Sequence, residues 1–394
     1  MDHNKLKKSK INGIFISSEQ FPIVIQTEQI TYAQLKHTIL HENCNPNGAM
    51  PHAATPSVLY NPAQLTKAYQ LSSIVTPSNK PGLGIKVAII IAFTYPNLQR
   101  DFNVFCTQFG LPQLTLQKIT LGRTQNSGWA LEECLDVQMV HSIAPYATIL
   151  VVEASSNSFS SLNAAIVAAN NAGADIISMS YGAGEFSTEL ATGSGFSKAN
   201  CCYVASSGDT AAVVEYPSVH PNVLSVGGTS LTVDASGNRL SETTWNGGGC
   251  GYSVYINKPV YQNTITNLTG TKRTCCDLSF VANPSTGVYC YYNGSWYGVG
   301  GTSVSAPCIA GYLAICNQLR VQASKAKLST IAGSATCFQN MIYQTISKGP
   351  NYLNNFHDIT TGVDGNQSAG SGYDLPTGLG SPICNVLATT IASL

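Results

Sequence analysis

Charge is scarce in this chain. Only 10% of its 394 residues are Asp, Glu, Lys or Arg, against roughly 25% in an average globular protein. The 20 basic and 20 acidic residues cancel, so nothing favours nucleic acid or an anionic membrane as a partner. A surface poor in carboxylates also changes its charge little as pH falls, which suits an acid environment. No apolar run reaches the length of a membrane span. The first residues, MDHNKLKKSKINGIFISSEQF, are basic and then briefly apolar. They lack a continuous apolar region and a small-residue cleavage site, so no signal peptide is read. The compartment stays open: cytosol, acidic vesicle or a packaged particle such as a virion. No CxxC pair or Cys/His spacing suggests zinc. The 13 cysteines include the adjacent pairs Cys201-Cys202 and Cys275-Cys276, which disfavours a disulfide framework. Most are expected to be small buried apolar residues. Sequons occur at Asn267, Asn293 and Asn366, and matter only in an exported chain.

What is present is an ordinary core, with 44% apolar residues. Residues 1–54 have little periodicity and read as an N-terminal extension; residues 55–394 read as the main domain. Within it, runs apolar on both faces, 85–93, 147–154, 174–182, 202–209 and 222–230, have the character of parallel strands covered on both sides. Helical patterns lie between them at 131–143, 159–173 and 185–200, and another helix starts at Ser303. This alternation predicts a wound α/β domain with a largely parallel central sheet. Ligand sites in such sheets lie at the carboxyl ends of strands, where SYGAGE, SSGDT and GVGG cluster turn residues.

Three patterns carry chemistry. In GVGGTSVSAP, residues 298–307, Ser303 opens an apolar helix, beside free backbone N–H groups that favour an oxyanion. The plain alternative is a helix N-cap. A serine nucleophile needs a base. A subtilisin-type aspartate would stand near Ile91, and none of the seven histidines lies in a helix-start motif, so that triad is absent. His141 reads as a packed histidine. Glu132 and Asp136 instead lie four apart on one helix face. Burial of that face would raise one of the two pKa values; a solvated acidic helix start is the alternative. Asp209, in SSGDT, follows a strand. It either makes an Asx-turn or stays protonated and donates to an oxyanion.

Together with NPAQLTKAYQL, YPSVHPNVLSVGGTSL, TWNGGGCGYS, CCDLSFVANPSTG and HDITTG…GSGYDLPTGLGSP, these patterns over residues 58–394 resemble the sedolisin, or serine-carboxyl peptidase, family, relatives of the tripeptidyl-peptidases and kumamolisin. The resemblance implies a subtilisin-like fold and a serine-type peptidase acting on peptides or proteins. Its catalytic residues would be Glu132, Asp136, Asp209 and Ser303. It also implies one structural calcium ion, on the carboxylates of Asp358 and Asp374 and the carbonyls of Ile359, Gly370 and Gly372, with Asp364 a lesser candidate. An inactive relative used as a structural or binding protein is the alternative. The chain departs from the family at Tyr181, where tryptophan is usual, at Ile91, where some relatives carry a carboxylate, and at Cys275-Cys276. Residues 1–54 are too few for the relatives' folded pro-domain. A monomer is expected.

Overall fold

A computed structural model describes residues 10–11, 14–15, 33–42, 44, 46, 58–74, 78–348 and 351–394. The centre is an eight-stranded sheet built from the apolar runs. After a two-residue pairing of Lys10–Ile11 with Ile14–Phe15 come two short strands, β1 (Gln34–Leu35) and β2 (Thr38–Glu42), then helix α1 (Pro62–Ala68). The sheet begins with β3 (Lys86–Ala92), followed by α2 (Leu98–Phe109), β4 (Gln117–Thr120), α3 (Ser127–Ile143), β5 (Thr148–Ala154), α4 (Phe159–Asn171) and β6 (Ile176–Met179). After β6 the chain leaves the sheet as β7 (Tyr181–Gly184), and it returns as β8 (Cys202–Ser206). Next come β9 (Glu215–Tyr216), β10 (Val223–Val233), β11 (Arg239–Thr244) and β12 (Leu278–Val281). A hairpin, β13 (Val288–Tyr292) and β14 (Ser295–Gly300), leads into α5 (Thr302–Gln322).

The sheet order is β11-β10-β8-β6-β3-β5-β4, with β12 also on β10. Only β10 with β11 is antiparallel; the other pairs are parallel. The expected parallel α/β sheet is therefore present, and its inner strands are buried on both faces as their sequences require, while the edge strands β4 and β11 are partly exposed. Asn126 caps α3 by accepting the Trp129 N–H, and Ser158 caps α4 by accepting the Ser161 N–H. Helices α3 and α5 cross closely at Gly311, where a Cβ would lie 3.0 Å from the Val140 carbonyl oxygen.

The sequence departs from expectation in two places. Residues 185–200 were expected to form a helix, but only Glu189–Thr192 do. Gly193 and Gly195 pack so tightly that a Cβ would sit 2.8 Å from His220 and 2.7 Å from Asn163. Close packing of glycines has overridden the helical pattern. The second departure concerns α3, where burial is not confined to the one face that carries Glu132 and Asp136: from Trp129 to Ile143 every residue is buried. Cys275 and Cys276 precede Asp277, which makes a fully buried ion pair with Arg273 at 2.6 Å and also accepts from the Ser225 N–H and the Tyr343 hydroxyl, both at 2.8 Å. All thirteen cysteines are buried. Among the described residues no helix is long and apolar enough to cross a membrane.

Of the N-terminal extension, residues 33–42 do not stand apart from the domain. β1 pairs antiparallel with β7, and β2 with β14.

Candidate active site

The site lies at the carboxyl ends of β6 and β8, against the first turn of α5 and the first half of α3. Ser303 is fully buried at the start of α5. Its hydroxyl leans on the Ser180 carbonyl at 3.4 Å, and the Ser180 hydroxyl donates to Asp136 Oδ1 at 2.6 Å. Ser180 thus links the serine to the acidic face of α3.

Glu132 and Asp136 are both fully buried, so the solvated-helix-start alternative does not describe them. Burial, together with the nearby charge of Glu132, pushes the Asp136 carboxyl well above its ordinary range. Glu132 Oε1 and Asp136 Oδ2 have no hydrogen-bond partner among the described residues. Glu132 Oε2 is engaged by His37 Nδ1 in a short contact. Burial pulls the His37 pKa down, but the Glu132 carboxylate more than offsets this and holds it above the ordinary value. Among the described residues neither Ser303 nor Asp136 is hydrogen-bonded to Glu132; His37 holds one of the two Glu132 oxygens instead.

Asp209 follows β8. Its Oδ1 accepts from the Thr302 N–H at 2.8 Å and the Thr302 hydroxyl at 2.7 Å, while its Oδ2 is buried without a partner. Burial pushes its carboxyl up to about 7, against the pull of the Thr302 bonds. The Ser303 N–H donates at 2.8 Å to the carbonyl of Lys36. Gly301 faces both groups: it has a φ of 109°, and a Cβ there would overlap Asp209 Oδ2 and the Lys36 carbonyl oxygen alike. Ser303's amide and the free oxygen of Asp209 therefore border one small space, and that space holds a peptide carbonyl. Chemically such a space can hold an oxyanion, with a serine beside it.

Sequence reasoning missed Lys36 and His37, which lie in a stretch without periodicity. It also missed the cluster of Glu133, Glu153 and Lys118. Lys118 Nζ is 2.6 Å from Glu153 and 3.3 Å from Glu133. Burial raises the Glu133 carboxyl to about 8, with Lys118 opposing. A lone Glu within the apolar run TILVVEA was the available signal. His141 is a packed histidine as expected: its Nε2 contacts the Pro112 carbonyl at 2.7 Å, and burial lowers its pKa to about 4.

The residues of the expected calcium loop also come together. Both Asp358 oxygens accept the Gly372 N–H, at 3.1 and 3.0 Å. Asp374 Oδ2 accepts the Gly370 N–H at 3.0 Å, and its Oδ1 the Thr377 N–H at 2.8 Å. Burial raises the Asp374 carboxyl to about 6 despite these bonds, and the Asp358 charge adds to the rise. Ile359 is buried beside them. Asp364 faces Cys250 and the Ala212 amide instead. Among the described residues no group of three or more His, Cys, Asp or Glu side chains is arranged to hold a metal ion; the expected set has only two carboxylates, the rest being carbonyls.

The chain is similar to several known proteins. The profile described as Subtilase family matches residues 77–370. Sedolisin of Pseudomonas sp. (strain 101) is 35% identical over 182 residues, 43% of this chain and 28% of that protein. Kumamolisin of Bacillus sp. (strain MN-32) is 28% identical over 376 residues, 85% of this chain and 64% of that protein. Tripeptidyl-peptidase 1 of Dictyostelium discoideum is 27% identical, over 78% of this chain and 54% of that protein. The chain thus spans less than two-thirds of the length of each. The structure of Pseudomonas sedolisin, a serine-carboxyl proteinase complexed with two molecules of pseudo-iodotyrostatin, superposes with a TM-score of 0.73 and 26% identity. That match covers 86% of this chain and 99% of the other.

The geometry at Gly301 makes a prediction. Gly301→Ala should lower turnover of any substrate by at least about 10²-fold, because the new methyl displaces the carbonyl from its donors. Its far-UV circular dichroism should match the parent. Parent-like turnover would show that Gly301 does not border the reacting carbonyl.

Proposed function

The chain belongs to the subtilase family, in its sedolisin branch, and on that premise we propose that it is a serine peptidase with a carboxylate base. One observation carries the reading: a peptide carbonyl rests on the Ser303 N–H, beside the unpartnered oxygen of Asp209. Ser303 Oγ attacks the substrate carbonyl and gives its proton to Glu132. The oxyanion is held by the Ser303 N–H and by Asp209 in its protonated form. Asp136, anchored by Ser180 and pushed toward its protonated form by burial and by the Glu132 charge, stands one helical turn away as a neutral donor that positions Glu132. Glu132 then returns the proton to the leaving amine, and a water repeats the cycle on the acyl-enzyme. His37 is no substitute base in acid: its pKa is raised, and a protonated imidazole cannot accept a proton.

The loop of Asp358 and Asp374 fits one structural calcium ion. The two carboxylates with the carbonyls of Ile359, Gly370 and Gly372 form an all-oxygen donor set, and the charge of Asp358 raising the Asp374 carboxyl is the repulsion a cation would relieve. The ion would pin the loop and take no part in the chemistry.

The serine is tested by labelling. A fluorophosphonate should modify the parent chain and not Ser303→Ala; no labelling of the parent favours an inactive structural or binding relative. The mechanism is tested through Asp209. The donor must be protonated, and its pKa of about 7 lies above the ordinary value, so the donor is competent in acid and lost as pH rises through about 7. Asp209→Ala should cost about 10²–10³-fold in turnover. Asp209→Asn, whose amide donates at every pH, should keep more activity and shift its alkaline limb upward. A rate that climbs to a plateau above neutrality would point to a different base.

Calcium is tested by stability. Chelator should lower the unfolding temperature and added calcium restore it, by ligand linkage, with the effect lost in Asp374→Asn. An unchanged melting curve would overturn the assignment.

A further inference from the structure

Residues 33–39 are seated like a peptide about to be cut. The Ala33 N–H donates to the Asn157 carbonyl at 2.9 Å, and its carbonyl accepts from Asn157 Nδ2 at 3.0 Å. Gln34 and Leu35 pair antiparallel with Gly182 and Tyr181 of β7. The Lys36 carbonyl accepts the Ser303 N–H at 2.8 Å. Beyond it, Thr38 and Ile39 pair with Gly300 and Val299 of β14. The chain crosses the site without a break, and the carbonyl at the reacting position belongs to the Lys36–His37 bond.

Backbone pairing alone does not choose which carbonyl stops at Ser303. The choice is made by a side chain. Lys36 Nζ lies 2.8 Å and 2.7 Å from the two oxygens of Glu215, and the side chains are only 4% and 5% exposed. Glu215 reaches this place from β9, which is paired to β7. Two glycines leave room for its carboxylate: a Cβ on Gly182 would lie 2.6 Å from Oε2, and one on Gly208 2.8 Å from Cδ. Among the described residues Lys36 is the only cation in a salt bridge with Glu215. A carboxylate this deep is costly when unpaired, so the pocket favours whatever side chain brings an ammonium to it.

We propose that Glu215 is a specificity-determining residue that makes this cleft a site for cleavage after lysine, and that the chain's own Lys36–His37 bond is the first one presented to it. The inference rests on the peptidase reading above. In the reaction Ser303 Oγ adds to the Lys36 carbonyl carbon and its proton passes to Glu132. The bond from that carbon to the His37 nitrogen breaks as Glu132 returns the proton to the nitrogen. One water then hydrolyses the Lys36 ester, restoring the Ser303 hydroxyl. The products are a Lys36 carboxylate and a free amine on His37, and water is the only co-reactant.

Two measurements on the full chain test this. The first does not depend on catalysis. In a Ser303→Ala background, amide hydrogen exchange at residues 33–39 should be slow, and Lys36→Met or Glu215→Gln should each speed it by at least about 30-fold. Unchanged protection in both variants would overturn the pocket. The second is cleavage. On incubation the Ser303-intact chain should acquire a new N-terminus at His37, seen by mass spectrometry, and Ser303→Ala should not. In a peptide library the parent should prefer lysine over leucine before the cut by about 10²-fold in kcat/KM, and Glu215→Gln should shrink that preference to within a few-fold. Cleavage of other bonds with no lysine preference overturns this inference and leaves the peptidase reading standing. Protected exchange that depends on Lys36 and Glu215, with no cleavage of any peptide, overturns the peptidase reading and sustains the lysine pocket.

Discussion

The amide of Ser303 has no partner within its own helix, because the first turn of any α-helix leaves its N–H groups unpaired. That single donor organises the site. It needs a carbonyl, and the one it has lies across Gly301, whose φ of 109° and missing side chain keep the space open. The preceding residue, Thr302, spends its own N–H and hydroxyl on Asp209 Oδ1. This turns the other oxygen of Asp209 toward the same space. Two consecutive residues of one helix start thus fix both halves of the proposed oxyanion site, one directly and one through a neighbour. The parallel sheet supplies the rest, since Ser180 and Asp209 both follow the carboxyl ends of adjacent strands, β6 and β8.

The scarcity of charge is uneven. Glu132, Glu133, Asp136, Glu153 and Glu215 are all buried, and Asp209 Oδ2 is buried with them. Few cations balance this group: Lys118 serves Glu133 and Glu153, and Lys36 serves Glu215. Burial therefore pushes protons onto several of the acids, Glu133 to about 8 and Asp209 to about 7. The folded chain meets acid with part of its interior already neutral. A histidine base would be disabled under the same conditions, so a carboxylate base and a protonated carboxylic donor form one consistent design.

Much of this was legible in the sequence, for identifiable reasons. Strands buried on both faces announce themselves as continuous apolar runs, and five were found within a few residues of their true limits. Glu132 and Asp136 could be singled out because helical spacing is rigid, and Asp209 and Ser303 because glycine-rich turns mark strand ends. The stretch 185–200 misled because its helical pattern is local while the packing of Gly193 against His220 is not. The carboxylate sought at Ile91 is absent, yet Ile91 pairs in register with Glu153 on β5. An acid therefore does stand at that end of the sheet, one strand over, where only the pairing register reveals it.

Residues 33–42 were illegible for a deeper reason. AQLKHTILHE has neither the period of a helix nor a sustained alternation, because its conformation is borrowed from the edges it lies on. An added strand takes most of its affinity from main-chain bonds that any sequence can make, and its register from the side chains that find pockets. Here the decisive contact joins residues 179 positions apart. No window along the chain contains both Lys36 and Glu215, and each alone reads as an ordinary surface charge. What makes them a pair is the burial that β7, β9, Gly182 and Gly208 create together. The specificity of the cleft is thus a property of the folded cavity, and the lysine that fills it is the means by which that property can be seen.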